Sequence, residues 1–509
     1  MENKLLLALD IGTSGCKITL FNISGKLIAS YVGKYNTYYP ETNFVEQNAE
    51  DWWKTVCEGL DYFKDELNID LNKIVAIGVD GHSWNCLPVD KEGLPLHNSM
   101  IWLDRRAQKQ VKEIKNIIDE KTLVNLNGNP LDAAYILPKM LWLKENEPEI
   151  YNQTYKFMQS NSYLVYKLTG EFSQDYSQVY GFHFFDIKKG KWDENIAAKF
   201  DILLDLIPEL YEPDQIVGEV SKRAAKETGL TSGTPVVAGG LDAACCTLGA
   251  GVIKEGQTQE QGGQAGGMSI VLDEAVIHPK LILGRHVVRN KFLLQGGTVG
   301  GGGILNWFNN NLAFYEKEKA NEMNKSSYQI MSQEADTINA GSDGLIFLPY
   351  MAGERSPIWD INARGVFFGL SYDKGRAHLI RSMMEGVAFS LKHNLKTAEE
   401  VNVYANDLNS VGGSANSKIW TQIKSDITNK EINVPSADHA TTLGAAILAG
   451  IGVGIYNSYQ DAVNKTVKIQ RKHKPNKENA ATYNQYYQIY LNLYKKLKDE
   501  FIKLNSIKK

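Results

Sequence analysis

The sequence predicts an α/β protein of more than one domain, and three observations carry that expectation. The chain has 509 residues, more than one core holds on a soft prior of about 150 residues per domain. Its first hundred residues read as short strands around a glycine loop, then an amphipathic helix, then a wholly apolar strand. Near residue 250 the order of polar strand, glycine turn and strand returns in weaker form, which implies two related halves. Apolar residues make up 43% and charged residues 22%, the composition of a globular protein.

Taken in order, residues 4 to 10, 17 to 22 and 26 to 35 read as three strands of an antiparallel meander. AEDWWKTVCEGLDYFKDELN follows. Its Trp53, Val56, Leu60, Phe63 and Leu67 recur at steps of three and four, with Asn48 as the cap. KIVAIGVDG, 73 to 81, is an almost wholly apolar run of strand length, as buried parallel strands are. TPVVAGGLDAACCTLGAG, 234 to 251, reads as a strand, a glycine turn and a helix of small residues beginning just after Asp242. QEQGGQAGGMSIVLD, 259 to 273, repeats the N-terminal pattern. A helix over 378 to 397 and the loop-helix SVGGSANSKIWTQIKSDI come next. In the tail, Tyr483, Tyr487, Tyr490, Tyr494, Leu497 and Phe501 share one helical stripe, which is read as packing.

Charge and cysteine content exclude several classes of function. Lys and Arg total 55 against 59 Asp and Glu, a net charge of −4. No basic surface for nucleic acid or membrane lipid is expected. The five cysteines are odd in number and none sits in a CxxC or a Cys/His metal spacing. That usage fits a reduced, cytoplasmic compartment. In the opening MENKLLLALDIG the apolar stretch is too short for a signal peptide and is interrupted by Asp10. The tract TTLGAAILAGIGVGIY, 441 to 456, falls short of the ~20 residues a bilayer requires, so no membrane span is expected.

Three glycine loops carry chemistry. ALDIGTSGCK, residues 8 to 17, ends an apolar strand in an acid and lacks the GxxxxGK[ST] spacing of the familiar phosphate loop. Its glycines let backbone N–H groups approach anionic oxygens, Thr13 and Ser14 add donors, and Lys17 adds charge. Asp10 is of the type that holds a hydrated magnesium ion. Taken alone, the stretch also reads as an ordinary hairpin turn. GGTVGGGGILNW (296 to 307) and GGSANSKIW (412 to 420) each run into a Trp-bearing helix, an arrangement suited to a base or a phosphate.

GVFFGLSYDKGRAHLIRSMME, 365 to 385, resembles the second signature of the FGGY carbohydrate kinases, with Gly369, Leu370, His378, Leu379, Ser382 and Glu385 at the family's spacing. LPYMAGERSPIWDINARG before it and IWLDRRA, 101 to 107, resemble segments of the xylulokinase-like branch. The resemblance runs in order from about residue 4 to about 455. It implies two actin-like ATPase (ribonuclease H-like) domains with an interdomain cleft: 1–250 for sugar and 251–509 for nucleotide, the latter with a helical tail. It further implies ATP and Mg2+, with Asp10 on the metal and Gly12, Thr13, Ser14 and Lys17 on the phosphates. Gly263, Gln264, Gly302, Gly412, Gly413, Ser414 and Asn416 would line the nucleotide. Asp242 falls where the family places its catalytic base; read on its own, it is either a base at a strand end or a cap on the helix behind it. Closure of the lobes on sugar is the expected means of excluding water.

Some positions depart from the family pattern. Gln264 stands where a phosphate-binding hydroxyl is usual, and its amide still donates. The first signature, around Lys139, Met140 and Trp142, is partly kept, with Ile136 at a position usually small or hydroxylated. His82, Ser83 and Trp84 replace the xylulokinase QMH, and Ala243 replaces the asparagine after the base. His82 and Trp84 either contact sugar or pack behind their strand. Asp104 and Arg105 either complete the site or pair with each other. Cys245 and Cys246 are read as inert packing. The expected acceptor is a ketopentose such as xylulose. Ribulose, gluconate and glycerol are the alternatives within the family, and a non-catalytic sugar-binding regulator or an actin-like ATPase the alternatives outside it. The expected partners are a small-molecule sugar and a second copy of the chain, with no nucleic acid and no membrane.

Overall fold

The computed structural model describes residues 4–436 and 439–507. The first three residues of the opening stretch and the last two of the tail lie outside the described residues, as do 437 and 438. The chain packs as two compact units. One comprises Met1–Ile253, Val271–Leu293 and His439–Lys468, the other Lys254–Ile270, Leu294–Asp438 and Ile469–Lys509.

The first unit is built on a seven-stranded sheet. Leu5–Ile11 lies near its middle, and Leu5 to Leu9 are buried, as a strand covered on both faces requires. Gly15–Asn22 pairs with it antiparallel, and Leu27–Lys34 pairs in turn with Gly15–Asn22. On the other side Ile74–Gly81 runs parallel to Leu5–Ile11 and Pro235–Val237 runs parallel to Ile74–Gly81, before Ile216–Glu219 closes the order antiparallel. The short strand Gly240–Leu241 pairs with the last residues of Ile74–Gly81. The meander, the apolar parallel strand and the glycine-interrupted strand before Asp242 thus stand as expected. Helix Ala49–Asp61 starts at Asn48, whose side chain accepts from the Glu50 N–H at 3.0 Å. Leu67 leaves the expected stripe: the α-helix gives way at Tyr62 to one wider turn, and Leu67 is exposed.

A single division between residues 250 and 251 does not describe this packing. Helix Ala440–Gly452 lies against helix Asp242–Gly249 and against the central strands at near backbone contact. A Cβ on Gly444 would meet the Cys245 carbonyl, one on Gly249 the Ala440 carbonyl, and one on Gly78 the Ala445 carbonyl. The low-polarity tract at 441 to 456 therefore begins as interior helix, which ends at Gly452. Among the described residues no helix is long and apolar enough to cross a membrane.

The second unit repeats the strand order. Gln257–Gly262 pairs antiparallel with Gly266–Leu272 and parallel with Asp407–Val411, which runs parallel to Ile432–Pro435. Ile469–His473 closes that side antiparallel. Helix Arg376–Glu399 is buried along most of its length, and helix Lys477–Ile507 packs Tyr483, Tyr487, Tyr490 and Phe501 into the same core. The tyrosine stripe is packing, as expected. Both sheets mix parallel and antiparallel pairs, which makes the chain the expected two-domain α/β protein.

Candidate active site

Strand register gathers three acids at one end of the first sheet. Asp10 lies opposite Asp80 in the parallel pair of Leu5–Ile11 with Ile74–Gly81, and opposite Lys17 in the antiparallel pair. Asp80 also faces Gly240, two residues before Asp242. Burial pushes the Asp242 carboxyl up to about 7, and the Asp10 charge adds to the shift. Burial raises Asp10 too, opposed by Asp80 and by the Lys17 ammonium. Asp80 is fully buried beside Asp10, and burial together with the Asp10 and Asp242 charges holds its carboxyl well above the usual range. Three acids in one low-dielectric corner call for a cation or a proton.

Asp242 is the first residue of its helix, and Leu241 occupies the capping position. Its Oδ1 accepts from the adjacent Ala243 N–H at 2.6 Å, and its side chain makes no cap to the next turn. The capping alternative is thereby set aside. The strand in front of Asp242 is held from behind, since Leu241 N–H donates to Ser177 Oγ at 2.8 Å and Ser177 in turn rests on buried Asp175.

The loop between the first two strands is a tight turn, with Gly12 N–H donating to Gly15 O at 3.1 Å. Tyr35 Oη donates to the Gly12 carbonyl, Gln47 Nε2 to the Thr13 carbonyl at 2.7 Å, and Trp102 Nε1 to Thr13 Oγ1 at 3.0 Å. With its carbonyls taken up from behind, the loop leaves Ser14 exposed and Lys17 beside Asp10.

The expected sugar-side residues divide. His82 is 2% exposed, with Nδ1 at 2.8 Å from Asn85 Nδ2 and Nε2 at 3.3 Å from Gln47 Oε1; burial drops its pKa to about 3. It packs behind its strand as a neutral ring. Trp84 is buried with a φ of 61°, unusual for a bulky residue. Its ring centroid lies 4.4 Å from that of Tyr135 and 6.0 Å from that of Tyr180. The Tyr180 phenol, pushed up by burial and by the Asp242 charge, also interacts with Ser83 and Trp84. Tyr180 is thus a neighbour of Asp242, with Ser83 and Trp84 among its other contacts.

Asp104 and Arg105 do not pair with each other. Asp104 is fully buried, accepting from Val45 N–H at 2.7 Å and from Arg106. Arg106 also reaches Glu46 at 2.6 Å. Arg105 pairs with Asp132, not with Asp104, and stays about one-third exposed.

In the second unit the glycine loops converge. A Cβ on Gly302 would meet the Gly263 carbonyl, and one on Gly412 would meet Gly262 and Gly263; Gly303 N–H donates to Gln264 O at 3.0 Å. Gly263, Gln264, Gly412, Gly413 and Asn416 are exposed. Ser414 is not: it is 3% exposed, and its hydroxyl accepts from Lys424 Nζ at 2.7 Å. Its side chain braces the loop from inside instead of offering a donor at the surface.

Sequence reasoning passed over Asp80, Tyr180 and Lys424. Asp80 left a signal, since KIVAIGVDG ends an apolar strand in an acid before glycine just as ALDIG does. Tyr180 and Lys424 left none, because their partners are distant in sequence. Among the described residues no group of three or more His, Cys, Asp or Glu side chains is arranged to hold a metal ion alone.

Comparison with known proteins adds the following. The N-terminal domain of the FGGY family of carbohydrate kinases matches residues 5–249, and its C-terminal domain matches residues 271–453. Xylulose kinase from Staphylococcus epidermidis is 32% identical over 500 residues, covering 98% of each chain. Two solved structures from Lactobacillus acidophilus, a ligand-bound xylulose kinase and a gluconate kinase, are each 26% identical with a TM-score of 0.89. Both cover 98% of this chain, and 100% and 99% of their own.

Proposed function

This chain belongs to the FGGY family of carbohydrate kinases, and from that membership we propose that it transfers the γ-phosphoryl group of ATP to a hydroxyl of a ketopentose, xylulose first among candidates. The observation that carries the chemistry is Asp242, a half-buried acid at a strand end beside Asp10, with its carboxyl pushed up to about 7. A base near neutrality takes a hydroxyl proton efficiently. As the sugar oxygen bonds to phosphorus and the bond to the leaving ADP oxygen breaks, Asp242 accepts the hydroxyl proton and holds that oxygen in line.

The residues present fit the remaining requirements. Gly263 and Gly413 are exposed, and Gly413 has open space where a side chain would stand, which suits backbone N–H groups that receive phosphate oxygens. Asp10 and Asp80, two adjacent buried acids, suit a hydrated divalent cation, which would draw its other ligands from water and phosphate. Bound there, Mg2+ would supply charge neutralisation of the transferring phosphoryl. Lys17 adds a second positive charge, and the loop at residues 12 to 14 is braced in place by Tyr35, Gln47 and Trp102.

Xylulose rests on the named relatives, and gluconate is a second reading on the equal likeness to a gluconate kinase. Tyr180, which feels the Asp242 charge, and Trp84, 6.0 Å from it ring to ring, would offer an acceptor an aromatic face, which packs on carbon. The test is coupled ADP release with xylulose, ribulose, gluconate and glycerol. Sugar-dependent release with one of them, highest for xylulose, is expected. ADP release indifferent to every acceptor would overturn the kinase reading, and sugar binding without any product would replace it with a non-catalytic binding protein.

A further inference from the structure

Beneath the exposed glycine loops of the second unit lies a buried charge pair. Lys424 is fully buried and Glu260 is 3% exposed, and Nζ stands 2.6 Å from Glu260 Oε1. The other carboxylate oxygen accepts from Ser410, and Nζ lies 5.4 Å above the Trp420 ring. A second bond from Nζ, at 2.7 Å, goes to Ser414 Oγ inside the loop 412 to 416.

Stability does not account for such a pair. Removing two charges from water costs several kcal/mol per ion, and apolar replacements of similar volume are often neutral or stabilising. What the pair adds is location. Glu260 is on strand Gln257–Gly262, three residues before the turn that carries Gly263 and Gln264. Ser410 is on strand Asp407–Val411, next to that strand's end, and Gln261 faces Val411 in the parallel register where both loops leave the sheet. Lys424 is on the helix that follows the second loop. One ammonium therefore ties both loops to one point, and Ser414 Oγ fills the space a Cβ on Gly262 would need.

We infer that Lys424, through Glu260 and Ser414, is a positioning residue that fixes the 262–266 and 412–416 loops in the geometry that receives the nucleotide. This rests on the reading of those loops as the ATP site. Gly412, at φ 85°, and the exposed Gly413 bring no side chain to hold the loop, which otherwise rests on the Ala415 N–H to Gly412 carbonyl bond and on Arg471 at the Ala415 carbonyl. A loop of glycines binds anions well only when its N–H groups already converge, because ordering it on binding subtracts from affinity.

The test uses the full-length protein. Lys424→Met alone strands the Glu260 charge in the interior and lowers stability, so the informative variant is the double substitution Lys424→Met with Glu260→Leu, which removes both charges. It is expected to keep its melting temperature while the KM for ATP and the calorimetric Kd for ADP rise about tenfold. The KM for sugar should move far less. Ser414→Ala, which removes the tether and leaves the pair intact, should reproduce most of the nucleotide effect. ADP affinity in the double variant within twofold of the unmodified protein would overturn the inference alone. Failure of the unmodified protein to bind ADP would overturn both the inference and the nucleotide reading beneath it.

Discussion

Asp242 owes its chemistry to position, since an aspartate in water would be far too weak a base near neutrality. Burial lifts its carboxyl to about 7 and the Asp10 charge adds to the lift. Asp242→Asn keeps the shape and removes the basic site. Sugar-dependent turnover should fall by about 10²- to 10⁴-fold, with ADP affinity by calorimetry nearly unchanged; a variant with full turnover would show that another group takes the proton. Because the base works deprotonated, kcat/KM for sugar should rise with pH to a plateau, with its inflection at or below about 7, since a bound cation draws the value down. Asp80 makes a separate prediction about stability. Its native carboxyl is raised well above 3.8, so the folded chain keeps a proton that the unfolded chain has released. Stability from this group is therefore lost as pH climbs from about 4, by up to ~1.4 kcal/mol per unit inside the window. Asp80→Asn should gain in urea midpoint over the unmodified protein at pH 8 and gain little at pH 4.5; an equal difference at both would refute the assignment. Asp10 and Asp242 were legible in the sequence because each ends a strand beside glycine. Asp104 was harder to read, because it accepts from Val45, which lies 59 positions away, and from Arg106, which itself reaches Glu46, and only folding brings these residues near.

The elements were easier to read than the side chains that serve them. Strand and helix periodicity are local, so the first meander, the Asn48-capped helix and the tyrosine stripe all stand where the spacing puts them. The Leu67 end of the first helix fails because a wider turn at Tyr62 shifts the register of its face. What periodicity cannot report is how closely two elements approach. Helices Asp242–Gly249 and Ala440–Gly452 meet through glycines, at a separation any side chain would prevent. Gly444→Val should cost about 3 kcal/mol or more, since the obstacle is the Cys245 backbone and not a side chain that can turn aside. Gly375→Ala, with open space around it, should stay within about 0.5 kcal/mol. Urea unfolding of the two variants side by side decides the point, and equal midpoints would mean that the helix pair yields where the packing says it cannot.

The chain passes between its two compact units five times, at 253/254, 270/271, 293/294, 438/439 and 468/469. A linear reading sees two halves joined once near 250, because repeats in sequence mark where a motif recurs and not which segments share a core. The consequence concerns assembly. Residues 1 to 253 lack the helix Ala440–Gly452, whose Leu443, Ile447 and Leu448 are buried to within 1% against strands and helix of the first unit. Burial of three such side chains contributes about 1.5–3 kcal/mol each, comparable in sum with the whole stability of a typical domain. Residues 1 to 253 produced alone should therefore be insoluble, or bind a hydrophobic dye and unfold without cooperativity. A protease site placed between the exposed Lys254 and Glu255 tests the same point in the intact protein. After cleavage the two pieces should elute as one species by gel filtration and separate only in denaturant, because the later piece supplies His439–Lys468 to the core of the earlier one. Separation in plain buffer would mean that the first unit closes without that helix, and that the glycine contacts at Gly78, Gly249 and Gly444 are incidental to its stability.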